Sequence, residues 1–169
     1  MCIRDRASNP TMSDAVAMFH ATHANLAGSG TVINTAAVGA GRAAMRKQTN
    51  LAKDEILNIG PKILLVGPDK ETEAQQFVAP VNAQQSSNVN PFSGKLDVVA
   101  DAEITGNVWR LFADPADAPN FIYGYVGDAE GPMITQERPF GVDGMSLQIL
   151  HDFGVGAIDF RGGYQNPGA

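Results

Sequence analysis

The chain has 169 residues, the length of one ordinary domain, and a net charge of −6. Leu, Ile, Val and Phe supply 40 residues, enough for a sizeable core, while charged residues make up only 18%, below the roughly 25% of an average domain. This balance argues against a dedicated nucleic-acid binder, no apolar run approaches the roughly 18 residues of a membrane span, and the single cysteine permits no internal disulfide.

Residues 1–10 are set aside as a non-native scar or disordered start, because Met1–Arg6 match nothing that follows in style, and the chain reads as a fragment of a longer protein. Ser13 and Asp14 are good helix-start residues. Met12, Val16, Phe19, His23 and Leu26 then recur at spacings of four and three, which predicts a helix ending at Gly28-Ser29-Gly30. A second helix is predicted from Asn34 or Thr35 to Gln48, with Val38, Arg42 and Met45 on one stripe. Ile63–Val66 is a continuous apolar run closed by Gly67-Pro68 and reads as a strand buried on both faces. Glu71–Val78 reads as a short helix begun near Asp69 and stopped before Pro80, and 82–95 as an exposed polar loop.

Beyond the loop the period changes to two. Strands are predicted at Leu96–Ala100, Val108–Ala113, Phe121–Val126, Met145–Leu150 and Val155–Arg161, the last followed by a Gly-Gly turn. In Met145–Leu150 the apolar Met145, Leu147 and Ile149 share one face, opposite Ser146 and Gln148. Helices early and mainly antiparallel strands late make the fold class α+β.

Four patterns could carry chemistry. Gly39-Ala40-Gly41-Arg42-Ala43-Ala44 satisfies the G-x-G-x-x-[G/A] dinucleotide fingerprint, in which glycines let backbone approach a pyrophosphate at a helix N-terminus. It needs a strand immediately before it, and the segment around it instead fits a helix already begun, so two glycines in a tightly packed helix are the favoured reading. His20 and His23 could share a metal, but only His151 remains to complete a site, and packed histidines are favoured. Asp152-Phe153-Gly154 spells a kinase triplet without the rest of that machinery, and no G-x-S-x-G supports a serine hydrolase. Arg42, Arg46, Lys47 and Lys53 cluster on and after the second helix. They read first as a solvated face, next as a contact for an acidic neighbouring subunit, and third as a nucleic-acid contact.

A more specific signal lies in several runs taken together: "FHATHANLAGSGTVINTAAVGAGRAAMRKQTN", "GPKILLVGPDKETEAQQFV", "NPFSGKLDVVADAEI", "WRLFADPADAPNFIYGYV" and "FGVDGMSLQILHDFGVGAIDFRGGYQNPGA". In this order they resemble the capsid part of Mu-like phage major head proteins, and the capsid domains fused to an upstream Clp-like prohead protease. The resemblance implies the C-terminal portion of the tailed-phage major capsid fold. A helical segment and axial-type α+β domain would occupy 11–126, and 127–169 would supply returning strands of a peripheral-type sheet. The family's N-terminal arm, extended loop and long spine helix have no counterpart here. The implied function is structural: a phage or prophage capsid subunit of the virion, assembled in the bacterial host cytoplasm and joining other copies in a shell around DNA. An upstream prohead protease or scaffold is an implied partner, and no membrane partner is. The resemblance implies no catalytic residue, no metal and no cofactor. The rival class is a dinucleotide-binding oxidoreductase using Gly39, Gly41 and Ala44.

Overall fold

The computed structural model describes residues 9–79, 89–127, 130–141 and 143–169. Its elements are helices α1 (Thr35–Arg46) and α2 (Pro68–Val78) and strands β1 (Pro61–Val66), β2 (Asp97–Ala100), β3 (Trp109–Ala113), β4 (Phe121–Tyr125), β5 (Met133–Glu137), β6 (Ser146–Leu150), β7 (Phe153–Ala157) and β8 (Gly163–Asn166). The class is α+β.

Both helices begin where local chemistry provides for their free amides. Asn34 caps α1 by accepting from the Ala37 N–H at 2.8 Å. α2 opens on Pro68, which has no N–H to satisfy, and carries Asp69 and Glu71 in the first turn. It ends at Ala79, whose extended ψ of 139° is the conformation forced on a residue preceding proline.

Four strands form the main sheet in the order β2-β1-β3-β8. β1 and β2 are parallel and joined through α2, while β3 runs antiparallel to both β1 and β8. The period of two along β1 and β3 sends Leu64, Val66, Trp109, Leu111 and Ala113 into one core with Val38 and Met45 of α1 and Ala74 of α2. Ile33, Phe92, Leu96 and Tyr164 complete that core. Phe112 lies on the opposite face, where Phe19 packs edge-on against it with ring centroids 6.1 Å apart. Arg110 lies 5.5 Å over the Phe19 ring and donates to Gln165 at 2.8 Å.

The helix expected from Ser13 to Leu26 does not form; its one helical turn is the 3-10 segment Ala21–His23. Side chains take the backbone groups a helix would need. Asp14 accepts from the Val16 N–H, and Asn9 both accepts from and donates to the Phe19 backbone. Asn25 accepts from the His20 N–H and donates to the Met18 carbonyl. Left-handed conformations at Ala15 and Ala24 break the segment further. Its apolar residues mark burial all the same: Met18, Phe19 and His23 are buried by a wrapped loop. Within the stretch set aside at the start, 1–8 lie outside the described residues, but Asn9 and Pro10 are hydrogen-bonded to the Met18–Phe19 backbone.

Other boundaries also move. Of the expected loop at 82–95, 82–88 lie outside the described residues, and the remainder holds the buried Phe92 against α1 and α2. The last expected strand, Val155–Arg161, is displaced to Phe153–Ala157. Asp159 closes a turn by accepting from the backbone and guanidinium of Arg161, and Gly163 belongs to β8 rather than to a turn. β5 and β8 were not anticipated. Among the described residues no helix is long and apolar enough to cross a membrane.

Candidate assembly surface

Strands β4 to β7 leave the main sheet altogether. β4 pairs antiparallel with β7, from Phe121↔Ala157 to Tyr125↔Phe153, and β5 pairs with β6, from Met133↔Leu150 to Glu137↔Ser146. The pairings are nested, so 121–157 form a two-tiered β-ribbon rooted in the body at Phe121 and Ala157. At the root, the Ile158 N–H donates to Asn120 and the Asn120 side chain donates to the Asp159 carbonyl at 2.8 Å.

Cross-strand partners share a face, so the register defines both sides of the ribbon. In the outer tier Ile134, Ile149, Gln136 and Leu147 lie on one side, while Thr135, Gln148, Glu137 and Ser146 lie on the other beyond Met133 and Leu150. The outer tier is amphipathic, yet its apolar side is uncovered: Ile134, Leu147 and Ile149 are each more than 60% exposed. In the inner tier Tyr123, Tyr125 and Phe153 share a side, and His151 stacks between Tyr125 and Phe153 at 5.9 and 5.1 Å. At the tip Phe140 is fully exposed. The segment 121–157 also carries five acids against one base, Arg138.

A second unpartnered surface lies at the ribbon's root. Ile63, Leu65, Val99, Phe112, Pro115 and Pro119 line an apolar groove of about 320 Å³ on the sheet side opposite the helices. A wider, more polar cleft of about 800 Å³ runs between α1 and the wrapped loop, lined by Lys47, Lys53, Arg161 and His23.

The sequence-level candidates resolve differently. Gly39 and Gly41 lie inside α1 with ordinary helical φ, and among the described residues no strand precedes them. The dinucleotide reading therefore loses the loop and exposed helix N-terminus on which it depends. Gly41 instead allows α1 to lie close on the sheet, since a methyl group there would meet Leu111 and Tyr164 at 2.8–3.0 Å. His23 is buried and stacked on Phe160 at 3.8 Å, with Nε2 2.7 Å from Asp14 and Nδ1 3.0 Å from the Met18 carbonyl. Asp14 is held below its ordinary value of 3.8, chiefly by that hydrogen bond and next by the Val16 N–H. His20 is exposed and its Nδ1 contacts Thr22. No grouping of metal-ligating side chains occurs among the described residues. Arg42 covers Phe92 at 4.6 Å and Arg46 donates to Asn58, whereas Lys47 and Lys53 face outward. The surface that stands out, the ribbon with β5 as its missing half, was only half visible in sequence. Its signal was the Met145–Ile149 alternation, which required an apolar partner that the polar end of Met133–Glu137 obscures.

A chain that spends this much apolar surface outside its own core is built to meet other molecules. The sequence matches the family model described as phage capsid protein over residues 5–166. The chain belongs to the phage capsid protein family. No curated protein gives a significant match. As a capsid-family member it has a structural role alongside other capsid copies.

Proposed function

We propose that the chain is a shell-forming subunit of a phage or prophage head, associating with other copies around packaged DNA and catalysing no reaction of its own. One observation carries this reading: a β-ribbon with an uncovered apolar side, which a free-standing monomer would leave in water at the cost of solubility. The family match supports it, as does the low content of charge. An axial-type α+β domain would occupy 11–126 and returning strands of a peripheral-type sheet 127–169, although β4 pairs with β7 and β3 with β8 across that division; the chain would then be the C-terminal portion of a tailed-phage major capsid fold. The resemblance to Mu-like head proteins and to protease–capsid fusions extends the proposal to an upstream prohead protease or scaffold, with assembly in the bacterial cytoplasm and residence in the virion.

Size-exclusion chromatography with light scattering, followed by negative-stain microscopy, tests the central claim. The expected result is concentration-dependent association of the purified chain into oligomers. A single monodisperse monomer at millimolar concentration would overturn it. Isothermal titration with NAD, NADP or FAD serves the rival reading, and saturable tight binding at α1 would favour the enzyme.

A further inference from the structure

The geometry points to a defined contact between copies: the ribbon tip of one chain, led by Phe140, seats in the apolar groove at the ribbon root of the next. This inference rests on the assembly reading above and deepens it by naming the two surfaces that meet.

The groove selects the kind of occupant. Its lining is aliphatic and aromatic apart from Asn120, whose amide already donates to the Asp159 carbonyl. A small-molecule site of this size ordinarily holds several placed polar groups that orient a ligand. At about 320 Å³ the groove has room for one or two large side chains rather than a whole strand. Phe140 is such a side chain, 107% exposed relative to its reference state and carried at the outermost turn of the ribbon.

The ribbon cannot serve its own groove. Each five-residue tier is about 17 Å long, so the tip stands roughly two tiers from the root, and folding back would break the β4–β7 or β5–β6 pairing. The occupant must come from another molecule. A second copy of this chain fits because it presents the required tip and enough surface behind it. Twelve apolar ribbon side chains, from Ile122 to Phe153, remain at least 39% exposed. They lie on both sides of the ribbon, so one side offers about half of the total, on the order of 600 Å² at roughly 100 Å² per side chain, which is the low end of a standard interface of ~800 Å² per partner. Because tip and groove are different surfaces, the contact is heterologous. Each copy keeps a free tip or a free groove until the arrangement closes on itself, as a reciprocal twofold pair or as a ring or extended array.

The test uses the full chain with Cys2→Ser as background. One preparation carries Phe140→Cys and another carries Val99→Cys, in the groove; they are mixed and joined with a short bis-maleimide. The expected product is the mixed dimer, in at least tenfold excess over that formed when Ser29→Cys replaces Val99→Cys. In parallel, Phe140→Asp should weaken self-association tenfold or more while leaving the thermal midpoint unchanged, since this exposed side chain touches no core. Association that persists with Phe140→Asp, or cross-linking of Phe140→Cys only to itself or to Ser29→Cys, overturns the tip-in-groove contact and leaves the capsid reading standing. A chain that stays monomeric throughout overturns both.

Discussion

Asp14 and His23 fasten the wrapped N-terminal loop, and their chemistry gives that loop a pH dependence of known sign. Folding favours the Asp14 carboxylate, since His23 donates to it and holds its pKa below the ordinary 3.8. A depressed carboxylate stabilises the fold above its unfolded value and loses that contribution as the pH falls through the folded value. The thermal midpoint should therefore decline as the pH falls through and below the ordinary 3.8, with a shallower decline in Asp14→Asn. An identical slope in both proteins would exclude Asp14 as a contributor. Tyr164 works at the other extreme: burial pushes its phenol above the ordinary 10, so its contribution is present below that value and lost as the pH rises through the folded one. Tyr164→Phe should flatten that alkaline decline. The two helix glycines separate by what surrounds them. A methyl group at Gly39 meets nothing within 4 Å, so Gly39→Ala should stabilise by about 0.5–1 kcal/mol. At Gly41 the same methyl presses on Leu111 and Tyr164, so Gly41→Ala should destabilise by about 1–3 kcal/mol in urea unfolding.

Helices and strands with strong local punctuation were legible from residues alone. α1 could be read from its start at Asn34 or Thr35 and the Val38–Met45 spacing, α2 from Asp69 and Pro80, and β1 from its unbroken apolar run, because in each case the signal is local. The misreadings share a physical cause. Met12–Leu26 has helical spacing, but Asn9, Asp14 and Asn25 capture its backbone, and that competition depends on partners up to ten residues away. β8 is four residues long and half polar; it is a strand because β3 leaves an edge to pair with, which only tertiary structure reveals. The assembly surface was hidden for a related reason. An apolar alternation normally points to a core, and nothing local distinguishes a strand facing its own core from one facing another molecule. Substitution can make the distinction. Leu64→Ala, inside the helix–sheet core, should cost about 2–5 kcal/mol of folding stability. Ile149→Ser, on the apolar side of the ribbon, should change stability by less than about 1 kcal/mol and should reduce association instead.

The two candidate modes of association predict opposite responses to salt. If the acidic ribbon is drawn to the outward-facing Lys47 and Lys53 and the polar cleft beside α1, the attraction is between exposed charges and should weaken as the Debye length shrinks from about 30 Å at 0.01 M to about 3 Å at 1 M salt. If ribbon and groove meet through apolar surface, charge acts mainly against association, because every copy carries −6. Added salt then screens repulsion and leaves the burial of apolar area intact, while sulfate strengthens that burial further. The exposed residues favour the second case: the ribbon offers a dozen apolar side chains, whereas β4, β6 and β7 carry no charge and Glu137, Arg138 and Asp143 are confined to the tip. Light scattering at fixed protein concentration should therefore show association rising from low to high sodium chloride and rising again when sulfate replaces chloride. A fall in association across the same range would assign the contact to the basic cleft and return the cluster around Arg42 to the centre of assembly.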